Sequence, residues 1–142
     1  MLKGLSPLLT PELLHTLRAM GHGDELALVD ANFPSTSMAR RLVRLDAADV
    51  VSATRAVLSL MPLDDFVDAT AWRMQVVDDA NAEPPVCAEL RGLVEAEGYR
   101  LAALERFAFY EQAKQCFAIV ATGETRLYGN VILKKGVIRP AS

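Results

Sequence analysis

Met20-Gly-His-Gly-Asp-Glu-Leu-Ala-Leu-Val-Asp-Ala-Asn-Phe-Pro34 places four consecutive apolar residues, Leu26 to Val29, between a glycine-flanked histidine and a carboxylate. A strand with one solvated face would alternate polar and apolar residues. This run does not, so it reads as a strand buried on both faces and parallel to its neighbours. Asp30 then closes the carboxyl end of that strand, the edge at which open α/β sheets bind their ligands. His22 precedes the strand on a loop, between Gly21 and Gly23.

Upstream, Thr10-Pro11-Glu12 predicts a helix start, with Thr as N-cap, Pro at the first helical position and an acid in the first turn. Leu13, Leu14, Leu17 and Met20 share one face of that helix, and His15 falls on the opposite, solvated face. Gly21 is placed to close it in the left-handed conformation. Downstream, Ser35-Thr-Ser37 reads as a loop or cap, and Leu42 to Leu45 as a short strand. Asp46-Ala-Ala-Asp49 resembles a capping box before a helix reaching about Leu60, stopped by Pro62. Strands are expected at Phe66 to Ala69 and Trp72 to Val77, with a polar loop from Asp78 to Pro85. A helix follows from Val86 to Glu97, ended by Gly98, and a further strand is expected at Leu101 to Leu104. Arg106 to Lys114 reads as a short helix. Phe117 to Ala121 and Leu127 to Leu133 read as strands joined by a hairpin-like Thr122-Gly-Glu-Thr125. Strands that alternate with helices and then end in a paired set predict an α/β protein, three layers α/β/α around a mixed sheet.

The chain has 142 residues and is 51% hydrophobic, which fits one domain over residues 1–142. A globule of that length buries roughly 70% of its unfolded surface, so its stability does not call for a staple. The net charge is −3 and no basic run exceeds two residues, which argues against nucleic acid or an anionic membrane as partner. The apolar runs are too short to span a bilayer, and Met1 to Pro7 holds no signal-peptide apolar core. Cys87 and Cys116 form no CxxC pair and are expected as reduced core thiols of a cytoplasmic protein.

Gly21-His22-Gly23 is no dinucleotide fingerprint, because it follows a helix and Leu26 replaces the third glycine. A lone loop histidine is commonly structural. Against that, flanking glycines permit close backbone approach to a ligand, and imidazole suits proton transfer near neutrality. Asp30 is a ligand-edge carboxylate or a turn cap. A metal held by His22, Asp24, Glu25 and Asp30 is disfavoured, since no second histidine or cysteine stands at ligand spacing. Arg106, Phe107, Phe109 and Tyr110 form a basic-aromatic cluster whose helical phase sends half of it into the core. Tyr128-Gly129-Asn130 is a cross-strand tyrosine beside a bulge, or a phenol and an amide aimed at a polar ligand. No catalytic triad, P-loop or reactive cysteine is apparent.

Several long blocks stand in order: Met1-Leu-Lys-Gly-Leu-Ser-Pro-Leu-Leu-Thr-Pro-Glu-Leu-Leu14, Met20-Gly-His-Gly-Asp-Glu25, Asp30-Ala-Asn-Phe-Pro34, Arg106-Phe-Ala-Phe-Tyr110, Ala121-Thr-Gly-Glu124 and Tyr128-Gly-Asn-Val-Ile-Leu-Lys-Lys-Gly136. With these blocks the chain resembles the D-ribose pyranase / L-fucose mutarotase family, and is nearest its fucose branch. The ribose branch shares the Gly-His, the strand-end Asp and a Tyr-x-Asn, but usually lacks Asp-Ala-Asn-Phe-Pro and Arg-Phe-Ala-Phe-Tyr. The resemblance implies an isomerase of the anomeric carbon that needs no cofactor and no metal. It implies His22, Asp30 and Tyr128 in catalysis, and Asp30, Arg106, Tyr110, Tyr128 and Asn130 on the sugar. It also implies a ring-based homo-oligomer, often a decamer, with sites near subunit contacts. The alternatives left open are ribose pyranase activity in the same site and a non-catalytic monosaccharide-binding module.

Overall fold

The computed structural model describes residues 1–141. Its helices are α1 (Pro11–Ala19), α2 (Ser35–Met38), α3 (Val50–Leu58), α4 (Pro85–Ala96) and α5 (Arg106–Gln115). Its strands are β1 (Glu25–Val29), β2 (Leu42–Leu45), β3 (Ala71–Met74), β4 (Ala102–Leu104), β5 (Ala118–Thr122) and β6 (Val131–Lys134). Among the described residues the strands form one sheet in the order β2-β5-β1-β6-β3-β4.

Alternation along the central strands sorts their side chains into two cores. Leu26 and Leu28 of β1, Val120 of β5 and Leu133 of β6 pack on one face with Leu13 of α1, Val57 of α3 and Leu90 of α4. Ala27 and Val29, Ile119 and Ile132 pack on the other with Phe109 and Ala113 of α5. The three-layer α/β/α expectation therefore holds, and the sheet is mixed. β1 runs parallel to β5 but antiparallel to β6, so the all-parallel reading of its surroundings is half right. Burial on both faces does not distinguish the two pairings.

The start of α1 follows its local signal. Thr10 caps α1 by accepting the Leu13 N–H at 3.2 Å, and His15 is exposed. Gly21 does not close the helix in the left-handed conformation. Met20 leaves α1 with extended backbone, which keeps its side chain in the core, and the left-handed turn falls on Gly23 with φ 87°. Before α3, the cap is Asp49 itself. It accepts from the Ser52 N–H and hydroxyl, both at 2.8 Å, while Asp46 pairs with Arg44. α3 stops at Leu58, short of Leu60.

Phe66 to Ala69 is no strand. The Asp64 carboxylate accepts the Phe66 N–H at 3.1 Å and turns the chain there, leaving Phe66 and Val67 exposed. β3 ends at Met74, because the chain turns back on itself at Val76 to Asp79. The expected hairpin between the last strands is absent, since β1 lies between β5 and β6. The connection from Gly123 to Asn130 instead arches over the end of β1. The Thr122 hydroxyl donates to Val29 O at 2.7 Å, and Ala31 N–H donates to Glu124 O at 2.8 Å. Residues 127–130 belong to that arch, and β6 starts only at Val131.

Gly123 sits where the arch crosses the β2–α3 turn, its N–H donating to Ala48 O at 2.8 Å. A Cβ there would strike the backbone oxygen of Asp46. Gly123→Ala should destabilise the protein by about 1–3 kcal/mol in urea unfolding, as overpacking against fixed backbone does. Gly92→Ala, on an open face of α4, should stabilise it by roughly 0.5–1 kcal/mol in the same experiment.

Candidate functional site

Asp30 follows β1 directly and is 5% exposed. The antiparallel register of β1 with β6 sets Asn130 beside it. Asn130 Oδ1 accepts the Asp30 N–H at 2.9 Å, and Asn130 Nδ2 donates to the Asp30 carboxylate at 3.2 Å. The second carboxylate oxygen accepts the Asn32 N–H at 2.9 Å. Burial pushes the Asp30 carboxyl above its ordinary range, with the negative Glu124 adding to the rise; the hydrogen bonds from Asn32, Asn130 and Phe33 only partly offset this.

Tyr128 reaches the same cleft from the arch. Its backbone is left-handed, φ 67°, a strained choice for a tyrosine. Its carbonyl accepts the Asn130 N–H at 2.8 Å, and its hydroxyl oxygen accepts the Val77 N–H at 3.1 Å. The phenol proton is left for another acceptor. Buried Glu124 braces the arch: Arg126 donates to it through its backbone N–H and two side-chain nitrogens, and also pairs with Glu89. These Arg126 bonds hold the Glu124 carboxyl below its ordinary range despite burial.

α5 supplies the third wall. Glu105 caps it, accepting the Phe107 and Ala108 N–H groups at 2.9 and 3.1 Å, so that Arg106 leaves the first turn at a fixed angle. Among the described residues, the Arg106 Nε is buried without a hydrogen-bond partner. Tyr110 lies one turn on and packs edge-on to Phe33, ring centroids 5.5 Å apart. Phe109 goes fully into the core while Phe107 is exposed, so the basic-aromatic cluster divides by helical phase. Asp30, Arg106, Tyr110, Tyr128 and Asn130 thus meet around a cleft of about 190 Å³, with Phe33, Met74 and Leu127 as its apolar side. Drug-sized pockets run to roughly 300–1,000 Å³, so this one suits a single small polar ring. A larger cavity of about 420 Å³, beside Leu17, Met61 and Ile138, carries no carboxylate or imidazole.

His22 is not in this cleft. It stands before β1, on a turn in which Gly21 N–H donates to Asp24 at 2.7 Å. Its Nε2 lies 3.0 Å from Asp64 Oδ1, and its ring meets Phe66 at a centroid distance of 5.0 Å. The imidazole is 43% exposed and the Asp64 side chain only 3%. Burial alone would raise the Asp64 carboxyl, but the bonds from His22 and Phe66 N–H and the charges of His22 and Lys134 outweigh it and hold it low. With β1 between them at about 3.3 Å per residue, His22 and Asp30 lie roughly 20 Å apart at opposite edges of the sheet.

The sequence reading missed Asp64 and the Val77 N–H. Asp64 is 42 positions from His22 and belongs to no periodic pattern, and a backbone donor leaves no mark on residue type.

The chain matches the family model described as the RbsD / FucU transport protein family over residues 3–138. It is 47% identical to the fucose mutarotase of Bos taurus, the alignment covering 98% of this chain and 95% of that protein. It is 44% identical to the L-fucose mutarotase of Haemophilus influenzae (strain 86-028NP), covering 96% and 97%. The crystal structure of the fucose mutarotase from Streptococcus pneumoniae in complex with L-fucose superimposes with a TM-score of 0.91 at 44% identity, covering 97% of this chain and all of that one.

The two carboxylates at the two edges should respond oppositely to pH. Asp64, held low, adds stability above its unfolded pKa of about 4, which is lost as pH falls through its folded value. Asp30, held high, adds stability that is fully present below its unfolded pKa of about 4 and is lost as pH rises through its folded value. Between pH 3 and 7, the stability of Asp64→Asn relative to wild type should worsen as pH rises, and that of Asp30→Asn should improve. Urea unfolding across that range reads both slopes.

Proposed function

The chain belongs to the RbsD / FucU transport protein family, and from that premise we propose that it is a mutarotase interconverting the α and β anomers of L-fucose. It is an isomerase acting on the anomeric carbon. The observation that carries this reading is its near full-length identity to fucose mutarotases, joined to a sugar-sized cleft whose donors and acceptors are not all spent within the protein.

Opening the hemiacetal breaks the bond from the anomeric carbon to the ring oxygen. The ring oxygen gains a proton, the anomeric hydroxyl loses one, and an aldehyde results. Rotation about the next carbon–carbon bond and reversal of both transfers give the other anomer. We assign His22 as the acid toward the ring oxygen and the Asp30 carboxylate as acceptor of the anomeric proton. Tyr128 donates to the anomeric oxygen as it becomes carbonyl, while Arg106, Tyr110 and Asn130 hold sugar hydroxyls. Asp64 keeps the His22 ring in one orientation.

In a single chain His22 and the Asp30 cleft are at opposite sheet edges, so a site using both takes His22 from one subunit and Asp30 from the next. A contact between two different edges is heterologous, and heterologous contacts form rings where the rotation closes. A ring-based homo-oligomer, with a decamer as its stacked form, is the assembly that the family resemblance implies and that such a shared site supports. We place the enzyme in the cytoplasm, where its two free, buried cysteines stay reduced.

His22→Ala should slow exchange of α- and β-L-fucose by on the order of 10²–10⁴-fold, about 3–5 kcal/mol of transition-state stabilisation. Sugar affinity should change far less, since the proton moves in the transition state. His15→Ala, exposed on α1, should exchange as fast as wild type. Saturation-transfer NMR measures all three, with D-ribose as second substrate. Near wild-type exchange by His22→Ala would overturn the assignment, and faster turnover of ribose than of fucose would overturn the substrate.

A further inference from the structure

Arg73, in the middle of β3, is 8% exposed and has no carboxylate in ion-pair contact among the described residues. A buried cation so placed costs stability, and apolar side chains of similar size often serve a core better. Its guanidinium donates instead to two backbone carbonyls, Met74 O at 3.3 Å through Nη1 and Ala82 O at 3.1 Å through Nη2. Those carbonyls mark the two ends of the 75–81 loop, so one planar fork ties the loop shut at its base.

The loop so closed carries internal strain and one functional contact. Asp78 is left-handed with φ 62°, and Asp79 and Ala82 turn the chain by donating to Val76 O and Asp79 O. At its tip, Val77 N–H donates to the Tyr128 hydroxyl oxygen at 3.1 Å. Beneath Tyr128, the Cys87 thiol donates to its carbonyl at 3.5 Å. A phenol that accepts a fixed N–H has its own proton directed elsewhere, here into the sugar cleft.

We infer that Arg73 is a positioning residue for the isomerisation: by joining Met74 to Ala82 it holds Val77 N–H against Tyr128, so that the phenol presents its proton to the sugar. The inference rests on the reading of Tyr128 as a donor in the reaction. The test is a double-mutant cycle on the rate of fucose anomer exchange, with kcat and KM measured for Arg73→Met, Tyr128→Phe and the pair. Arg73→Met should lower kcat about 10-fold with KM little changed, as misplacement of a catalytic group does. In the Tyr128→Phe background the same substitution should change kcat by less than about twofold, because the group it positions is gone. Arg73→Lys, which keeps a donor to both carbonyls, should recover part of the rate. Equal losses in both backgrounds, or an unchanged kcat for Arg73→Met, would overturn the inference. If Arg73→Met does not fold, Val77→Pro removes the N–H directly and must show the same loss and the same dependence on Tyr128. A wild-type rate for Tyr128→Phe alone would instead take down the donor reading of Tyr128.

Discussion

β1 has no face and no edge in water. Leu26 to Val29 are fully buried, β5 pairs along one side and β6 along the other. Each Leu or Val so placed contributes about 1.5–3 kcal/mol, and no polar side chain fits among them without a partner. Polar chemistry is therefore confined to the two ends of the strand. Asp30 takes one end and the His22 turn takes the other. The arch from Gly123 to Asn130 exists because β5 must cross that first end to reach β6, and it delivers Tyr128 and Asn130 to Asp30.

The two ends are electrostatically unlike. At the His22 end, Asp64 is buried but well supplied with donors, which hold its carboxyl below its ordinary range. At the cleft, the Asp30 carboxylate accepts from the Asn32 N–H and Asn130 Nδ2 and still sits above its ordinary range, with Glu124 near enough to oppose its charge. A carboxylate raised in this way costs folding free energy at neutral pH, and it is a better proton acceptor for the same reason. The adjacent arch shows the same exchange of stability for position in the left-handed Tyr128.

Much of this was legible in residue order. The unbroken apolar run of β1, the Thr10-Pro11 cap, the α5 cluster and the strand-end Asp30 each carry a local signal, and each appears where that signal puts it. Strand order carries none: Thr122 to Thr125 looks like a hairpin turn, and only the need to bury β1 on both sides separates β5 from β6. Phe66 and Val67 have strand-like chemistry, yet one hydrogen bond from Phe66 N–H to Asp64 turns them outward. Asp64 itself was hidden by distance along the chain. The separation of His22 from Asp30 was implicit in the length of β1, because an extended strand between two residues holds them apart.

That separation is the centre of the proposal that neighbouring subunits share each site. It is tested most directly by forming mixed rings from His22→Ala and Asp30→Asn chains, each nearly inactive alone, co-expressed with different tags and purified through both. If each site takes His22 from one subunit and Asp30 from the next, random mixing should restore about a quarter of wild-type fucose anomer exchange. Exchange that stays at the level of the separate variants would mean that each chain completes its own site, and would contradict the shared-site arrangement.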